Sequence, residues 1–473
     1  MTDTFTDSQT RVVIVGGGPG GYEAALVASQ LGAQVTLIER AGVGGSAVLT
    51  DVVPSKTLIA TAEVLTLVDD AHEKGVVFPG VAGDPVLGEA LGVDLGRINS
   101  RVMGLAEAQS LDIRTRLADA GVTLLTGTGR LDGPERVIVE DEQGLRHDID
   151  ADVVLVSVGA HPRTLAEAAP DGERILTWTQ LYTLTTLPQR LIVVGSGVTG
   201  AEFASAYNAL GADMVLVSSR DRVLPGEDAD ASAVIEQAFE RRGMTVMSKS
   251  RAAAAVNTGD GVLVTLDDGR TVEGSHCLMA VGSIPNTADL GLTEAGVKLT
   301  DSGHVLVDKV SRTSRRGVYA AGDCTGVLPL ASVAAMQGRI AMWHALGDAV
   351  SPLDLNMVSA NVFTAPEIAT VGVSEQDIRS ERVAGQVHRL ALAGNPRAKM
   401  AGISEGFVKL MASPNGTVIG GVVVAPAASE LIFPVTVAVQ NRLTVDAVAT
   451  TFTVYPSLSG SIAEAARALH RTR

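Results

Sequence analysis

Apolar residues in this chain gather into short, uninterrupted blocks bounded by glycine. Residues 12–15 (VVIV), 34–38 (QVTLI), 191–194 (LIVV) and 214–217 (MVLV) are such blocks, as are Val153 to Val158 and Cys277 to Val281. Blocks of this length read as buried strands, and the longer stretches between them as helices. Toward the C-terminus, 406–411 (GFVKLM) and 418–424 (VIGGVVV) predict two strands joined through the turn Ser413-Pro414-Asn415-Gly416, with a helix from Ser429. The pattern predicts an α/β chain that ends in an α+β domain.

Two of the blocks open the same unit. The first leads into Gly16-Gly17-Gly18-Pro19-Gly20-Gly21, then a helix through Gly32, then a strand ending at Glu39. Strand, GxGxxG, helix, strand and acid form the dinucleotide fingerprint: Gly16, Gly18 and Gly21 allow backbone amides and a helix N-terminus to reach a pyrophosphate, and Glu39 can accept from a ribose. The unit recurs 179 positions later as Gly195-Ser196-Gly197-Val198-Thr199-Gly200, with Glu23 answered by Glu202 and Leu31-Gly32-Ala33 by Leu210-Gly211-Ala212. Two dinucleotide sites follow. A second pair of echoes, Val153 to Gly159 through Ser157 and Cys277 to Gly282, returns the chain near each nucleotide; Pro162 and Pro285 follow them. At the offset of Glu39 the second unit carries Ser218, then Ser219, Arg220, Asp221 and Arg222. Without an acid to repel a 2′-phosphate, and with Arg220 and Arg222 adjacent, the second site admits NADPH as well as NADH. Both arginines pointing to solvent is the alternative.

Composition narrows the class. The formal net charge is −16 and no basic block interleaves with aromatics, which argues against nucleic acid. No run of about 18 apolar residues is present to span a membrane, and the polar, acidic start MTDTFTDSQT is unlike a targeting peptide. Two cysteines, Cys277 and Cys324, make no disulfide framework and fit a reducing cytoplasm. Residues 79–96, rich in Gly and Pro, read as a surface loop.

Together the two fingerprints, the frame Gly44-Gly45 … Pro54-Ser55-Lys56, the run Val318-Tyr319-Ala320-Ala321-Gly322-Asp323 and the run Asn361 to Glu367 resemble the FAD-dependent pyridine nucleotide-disulfide oxidoreductases, the group of lipoamide dehydrogenase. The resemblance implies an FAD-binding Rossmann-like domain (1–165), an NAD(P)-binding one (166–288), an FAD-binding return (289–350) and an interface domain (351–473) that forms a homodimer. It assigns Gly16, Gly18, Gly21, Glu39, Gly45, Ser46, Gly129 in a "GTGR" turn, Ser157, Gly159, Asp323 and the helix starting at Ala331 to FAD. It assigns Gly195, Gly197, Gly200, Ser219, Arg220 and Gly282 to NAD(P)H, and pairs Lys56 with Glu202 beside the flavin.

Two elements of the family's thiol chemistry are missing. Its redox cysteines correspond to Ala47 and Val52, and its C-terminal histidine and glutamate to Tyr455 and Gly460. Only thiolates exchange with disulfides. The reading is therefore an NAD(P)H:quinone oxidoreductase, resembling the mycobacterial branch of the family that lacks the disulfide, with Tyr455 a candidate hydrogen-bond donor to a quinone. A soluble pyridine nucleotide transhydrogenase and a flavin-bound redox sensor without turnover stand as alternatives.

Overall fold

The computed structural model describes residues 9–69, 71, 74–76 and 92–470. It divides into two compact units, one of Met1–Thr57, Arg97–Arg163 and Gly282–Leu353, the other of Leu58–Gly96, Thr164–Val281 and Asp354–Arg473.

The first unit is organised by a seven-stranded sheet in the order Val318–Ala320, Val153–Val156, Arg11–Val15, Gln34–Glu39, Thr123–Leu131, Arg136–Asp141, Arg146–Asp150. The first five strands are parallel, and the last two fold back as antiparallel hairpins. The apolar blocks become parallel strands because both faces are covered. Val12, Ile14, Leu37 and Leu155 join one buried cluster, while their neighbours Val13, Val15, Ile38 and Val154 join another. The first cluster includes Ala24, Ala25 and Ala28 of the helix Pro19–Gln30. That helix lies against Ala331–Ala345 so closely that a Cβ on Gly338 would stand 2.0 Å from the Gly20 carbonyl oxygen.

Two sequence expectations need correction here. Gly129 lies inside the strand Thr123–Leu131, not in a turn. A Cβ there would meet Val15 at 3.2 Å and Ile38 at 3.3 Å, so core packing alone favours glycine. Of the loop expected at 79–96, residues 79–91 lie outside the described residues, and Leu95 and Gly96 already begin the helix Leu95–Asp119.

The second unit repeats the theme. Its parallel sheet runs Thr245–Met247, Asp213–Val217, Arg190–Val194, His276–Met279, Ile175–Leu176, and a three-stranded antiparallel meander (Ala252–Asn257, Val262–Leu266, Thr271–Gly274) accompanies it. A second, antiparallel sheet follows in the order Ser359–Val362, Glu367–Gly372, Val418–Ala425, Phe407–Ala412, Gln386–Ala391. The expected hairpin closes where Gly416 N donates to the Ser413 carbonyl at 2.9 Å. The expected helix starts at Ala428, ends at Leu431 and resumes as Phe433–Gln440 with proline near its first turn. Val408, Leu410, Val423, Val435 and Ile462 anchor the apolar core of this part.

One charge sits within that packing. Lys409, in the middle of the apolar run FVKLMA, is 1% exposed. Its ammonium donates to Asp228 at 2.8 Å, lies 2.8 Å from Asp230, and also pairs with Glu375. Asp228 in turn caps the helix Ala229–Arg241, accepting from Asp230 N and Ala231 N. Burial works against the Lys409 charge, but its hydrogen bonds to three carboxylates raise its pKa. The hydrogen bond from Lys409 lowers Asp230; burial opposes ionisation of Glu375, yet Lys409 and Arg379 together bring it down.

Lys409→Ala strands these carboxylates, and the expected cost is about 3–5 kcal/mol, read from the urea midpoint. Carboxylates with depressed folded-state pKa values stabilise the native state above the ordinary carboxylate range, near pH 4. That contribution is lost as pH falls through the folded-state values. The variant should therefore lose less additional stability between neutral and acid pH than the parent does.

Candidate functional site

The two fingerprint turns solve one steric problem twice. Gly16 has φ +101°, and a Cβ on it would stand 2.3 Å from the Ser157 carbonyl oxygen; Gly195 has φ +116°, with the Ala280 carbonyl at 2.1 Å. A Cβ on Gly21 would overlap the Gly16 carbonyl at 1.9 Å, and one on Gly200 the Gly195 carbonyl at 1.8 Å. The middle glycines differ. Nothing lies within 4 Å of a Cβ on Gly18 or on Gly197. Each is the N-cap of its helix, Pro19–Gln30 or Val198–Ala209, and neither helix start is capped by a side chain. Open space over uncapped amides is what a pyrophosphate requires.

In the first unit the other candidates converge on this turn. Gly44 N donates to the Gly17 carbonyl at 2.8 Å, and a Cβ on Gly45 would come within 2.9 Å of Gly18 Cα. The quoted frame is thereby seated against the fingerprint. Gly45 and Ser46 open a short helix, Gly45–Leu49, and Ser46 is exposed. Ser157 accompanies Gly16 through its backbone, with Ser157 N donating to the Val15 carbonyl at 2.8 Å. The Glu39 carboxylate accepts from Gly17 N and from Ala41 N, each at 2.7 Å, which fixes its direction and leaves further lone pairs for ribose hydroxyls. Asp323 opens the turn Asp323–Thr325 after the strand Val318–Ala320. Its carboxyl takes no hydrogen bond from the described residues, and burial raises its pKa, as suits a group awaiting a polar ligand. The helix expected near Ala331 begins there, uncapped by any side chain. Gly159 and Gly282 are joined by a two-stranded ribbon in which Ala160 pairs with Pro285 and Pro162 with Ser283. These residues fit FAD.

The second fingerprint differs in detail from the first. Where Glu39 meets Gly17, the equivalent Ser218 is fully buried and its hydroxyl shares a 2.6 Å hydrogen bond with Ser196. Ser218 is therefore withheld from a ligand. Arg222 is turned back, donating to the Pro225 carbonyl at 3.1 Å. Ser219 and Arg220 stay exposed, and the Arg220 guanidinium takes no partner among the described residues. Glu202 is 3% exposed and accepts from Phe363 N at 2.9 Å. Sequence reading missed the Ser196–Ser218 pair, although both stand at the register of Gly17 and Glu39.

The thiol question has a structural answer. Ala47 and Val52 are half-buried, and Val52 opens the helix Val52–Asp69. Lys56 follows one turn later on the same helix face, itself half-buried. Cys277 and Cys324 are both unbonded to another cysteine and fully buried, and burial pushes each thiol up to about 12. Neither forms a thiolate near neutrality. Tyr455 is 83% exposed, as are Phe452 and Val454 beside it to similar or greater degree. Gly460, at the position of the family's glutamate, begins the helix Gly460–Ala468.

Gly18→Ala separates fold from ligand binding. The chain has room for the methyl, so the apoprotein of the variant should fold with an unchanged melting temperature. The methyl enters the space kept for the dinucleotide, and crowding of about 1–3 kcal/mol should weaken FAD binding roughly 5- to 150-fold. Flavin titration of apoprotein measures it. Gly16→Ala, by contrast, should impair folding itself.

Residues 10–338 match the pyridine nucleotide-disulphide oxidoreductase family, and residues 358–466 match its dimerisation domain. The chain is 53% identical over 472 residues to the NAD(P)H dehydrogenase (quinone) of Mycobacterium tuberculosis, covering 97% of this chain and 94% of that protein. It is 31% identical to the dihydrolipoyl dehydrogenase of Zymomonas mobilis, covering 97% and 98%. The crystal structure of LpdA from Mycobacterium tuberculosis superimposes with a TM-score of 0.92 at 53% identity, over 98% of this chain and all of that one. With both nucleotide turns, the frame at Gly44 to Lys56 and the C-terminal domain in place, the chain belongs to the FAD-dependent pyridine nucleotide-disulphide oxidoreductase family, whose members use NAD(P)H.

Proposed function

We propose that this protein is an NAD(P)H:quinone oxidoreductase: NAD(P)H, a proton and a quinone become NAD(P)⁺ and a hydroquinone. The observation that carries the reading is the folded frame from Gly44 to Lys56, which keeps its seat on the fingerprint while Ala47 and Val52 stand where thiols would act. The Mycobacterium tuberculosis relative's name supports the acceptor class. The dimerisation-domain match supports a homodimer, which would cover the exposed segment Phe452 to Tyr455. We place the domain boundaries at 165, 288 and 350, and the protein in the cytoplasm; among the described residues no helix is long and apolar enough to cross a membrane.

Bound FAD supplies the two-electron chemistry, taking hydride from the reduced nicotinamide and passing electrons to the acceptor. The chain's own residues bind and orient. Gly16, Gly18, Gly21, Gly45, Ser46, Gly129, Ser157, Gly159, Asp323 and the helix start at Ala331 hold the dinucleotide, and Glu39 its ribose. Gly195, Gly197, Gly200, Ser219, Arg220 and Gly282 hold NAD(P)H. The positive charge of Lys56 favours electron-rich flavin, and the family resemblance assigns Glu202 to the same chemistry. With no thiolate available, electrons leave directly to an acceptor that docks at the apolar surface of Ala47 and Val52, where Tyr455 of a second protomer can donate a hydrogen bond.

The test is anaerobic reduction by NADPH, then mixing with a quinone, with lipoamide or with an oxidised nicotinamide. Rapid reoxidation by quinone alone is expected. Turnover of lipoamide would sink the proposal, and reoxidation by nicotinamide but not quinone would make the protein a transhydrogenase. For nucleotide choice, Arg220→Ala should raise the KM for NADPH by roughly tenfold or more, the worth of a charged hydrogen bond, and leave that for NADH unchanged. Arg222→Ala, already committed to the Pro225 carbonyl, should alter the ratio far less.

A further inference from the structure

The second fingerprint helix, Val198–Ala209, carries two polar side chains that are almost wholly buried, Glu202 and Ser205, the latter 4% exposed. Each spends an oxygen on the backbone of the C-terminal domain. Phe363 N donates to Glu202 Oε1 at 2.9 Å, and Ala365 N donates to Ser205 Oγ at 3.1 Å. The spacing matches on both sides. Residues three apart share a face of a helix, and the two donors stand two apart in the bend that links Ser359–Val362 to Glu367–Gly372. The donors lie just beyond Ser359–Val362, the outermost strand of its sheet, so the fingerprint helix satisfies two amides of the bend that follows it.

We infer that Ser205 is a positioning residue for Glu202, and that through this pair the C-terminal domain sets the aim of the nucleotide site. Packing from Gly200 to Tyr207 seats the helix on its sheet, and with a single bond to the C-terminal domain a small roll about that bond remains. A second bond one turn further on fixes the rotation, and with it the direction in which the Glu202 carboxylate presents its remaining oxygen. Ser205 itself touches no reactant. The fixed rotation also governs the opposite end of the same helix, where Gly197 and the uncapped amides face the pyrophosphate. The two parts remain joined without this bond, because Lys409 independently ties Asp228 and Asp230 to Glu375. Removing Ser205 therefore loosens an orientation rather than a fold. The inference rests on the reading of Glu202 as part of the hydride-transfer site.

The experiment uses FAD-loaded full-length Ser205→Ala and Glu202→Gln, singly and combined. Glutamine keeps an oxygen for Phe363 N and removes the charge; alanine keeps the charge and releases Ala365 N. In stopped-flow reduction by NADPH, Ser205→Ala should lower the limiting rate about three- to tenfold, the worth of one hydrogen bond, with the NADPH dissociation constant changed less than about twofold. In the Glu202→Gln background the same change should alter the rate by less than about twofold, since no charge is left to aim. Amide exchange supplies a readout independent of turnover: Ser205→Ala should speed exchange at Phe363 as well as at Ala365. An unchanged limiting rate in Ser205→Ala beside a slow Glu202→Gln overturns the inference alone, as does a Phe363 amide that stays as protected as in the parent. Glu202→Gln reducing at the parental rate overturns the role of Glu202 and the inference with it.

Discussion

The carbonyls of Ser157 and Ala280 occupy the space that a side chain on Gly16 or Gly195 would need. Much of what makes the two nucleotide sites depends on that close approach. It brings the end of one strand against the turn that leaves another, so the following helix starts directly over the sheet with free amides facing out. The carbonyls of Gly16 and Gly195 then press on Gly21 and Gly200, which fixes each helix on its strand. Between these two crowded points lies a single open position, Gly18 or Gly197. Crowding on either side and vacancy in the middle define a mould for a pyrophosphate.

The sheets around that mould were legible because burial on both faces leaves an unmistakable mark. Blocks such as VVIV and LIVV have no polar side to display: VVIV became a parallel strand between two apolar clusters, and LIVV a parallel strand buried throughout. Both fingerprints were legible for a related reason, since a steric requirement for glycine tolerates no substitute. What escaped the sequence were interactions whose partners lie far apart along the chain. Lys409 looks like an interruption in an apolar strand, and only the fold brings Asp228, Asp230 and Glu375 to it. Ser205 looks like any small residue in a helix. Gly129 was legible as glycine but assigned to a turn, because the sequence carries no sign of how closely Val15 and Ile38 press on that strand.

Ser218 is the most instructive of these. It occupies the position of Glu39, and position alone suggested a residue that meets the ribose. The serine that replaces Gly17 in the second turn gives it a different partner, and the hydroxyl pair is sealed from solvent. A carboxylate that orders a turn and stays available has been exchanged for a neutral bond that orders the turn and is spent. Ser219 and Arg220, one and two residues further on, keep exposed side chains, and on the proposed reading the selective work falls to them. Two copies of one unit thus order the same turn with different residues while sharing a backbone.

The burial of both cysteines reaches beyond electron flow. Enzymes that work through an accessible thiolate can be silenced by alkylating agents, by soft metal ions or by overoxidation of the sulfur. Here Cys277 and Cys324 are enclosed in packed strands and turns and held as neutral thiols, and the chain has no other cysteine. A thiol-directed reagent therefore finds no accessible thiolate to attack among the described residues.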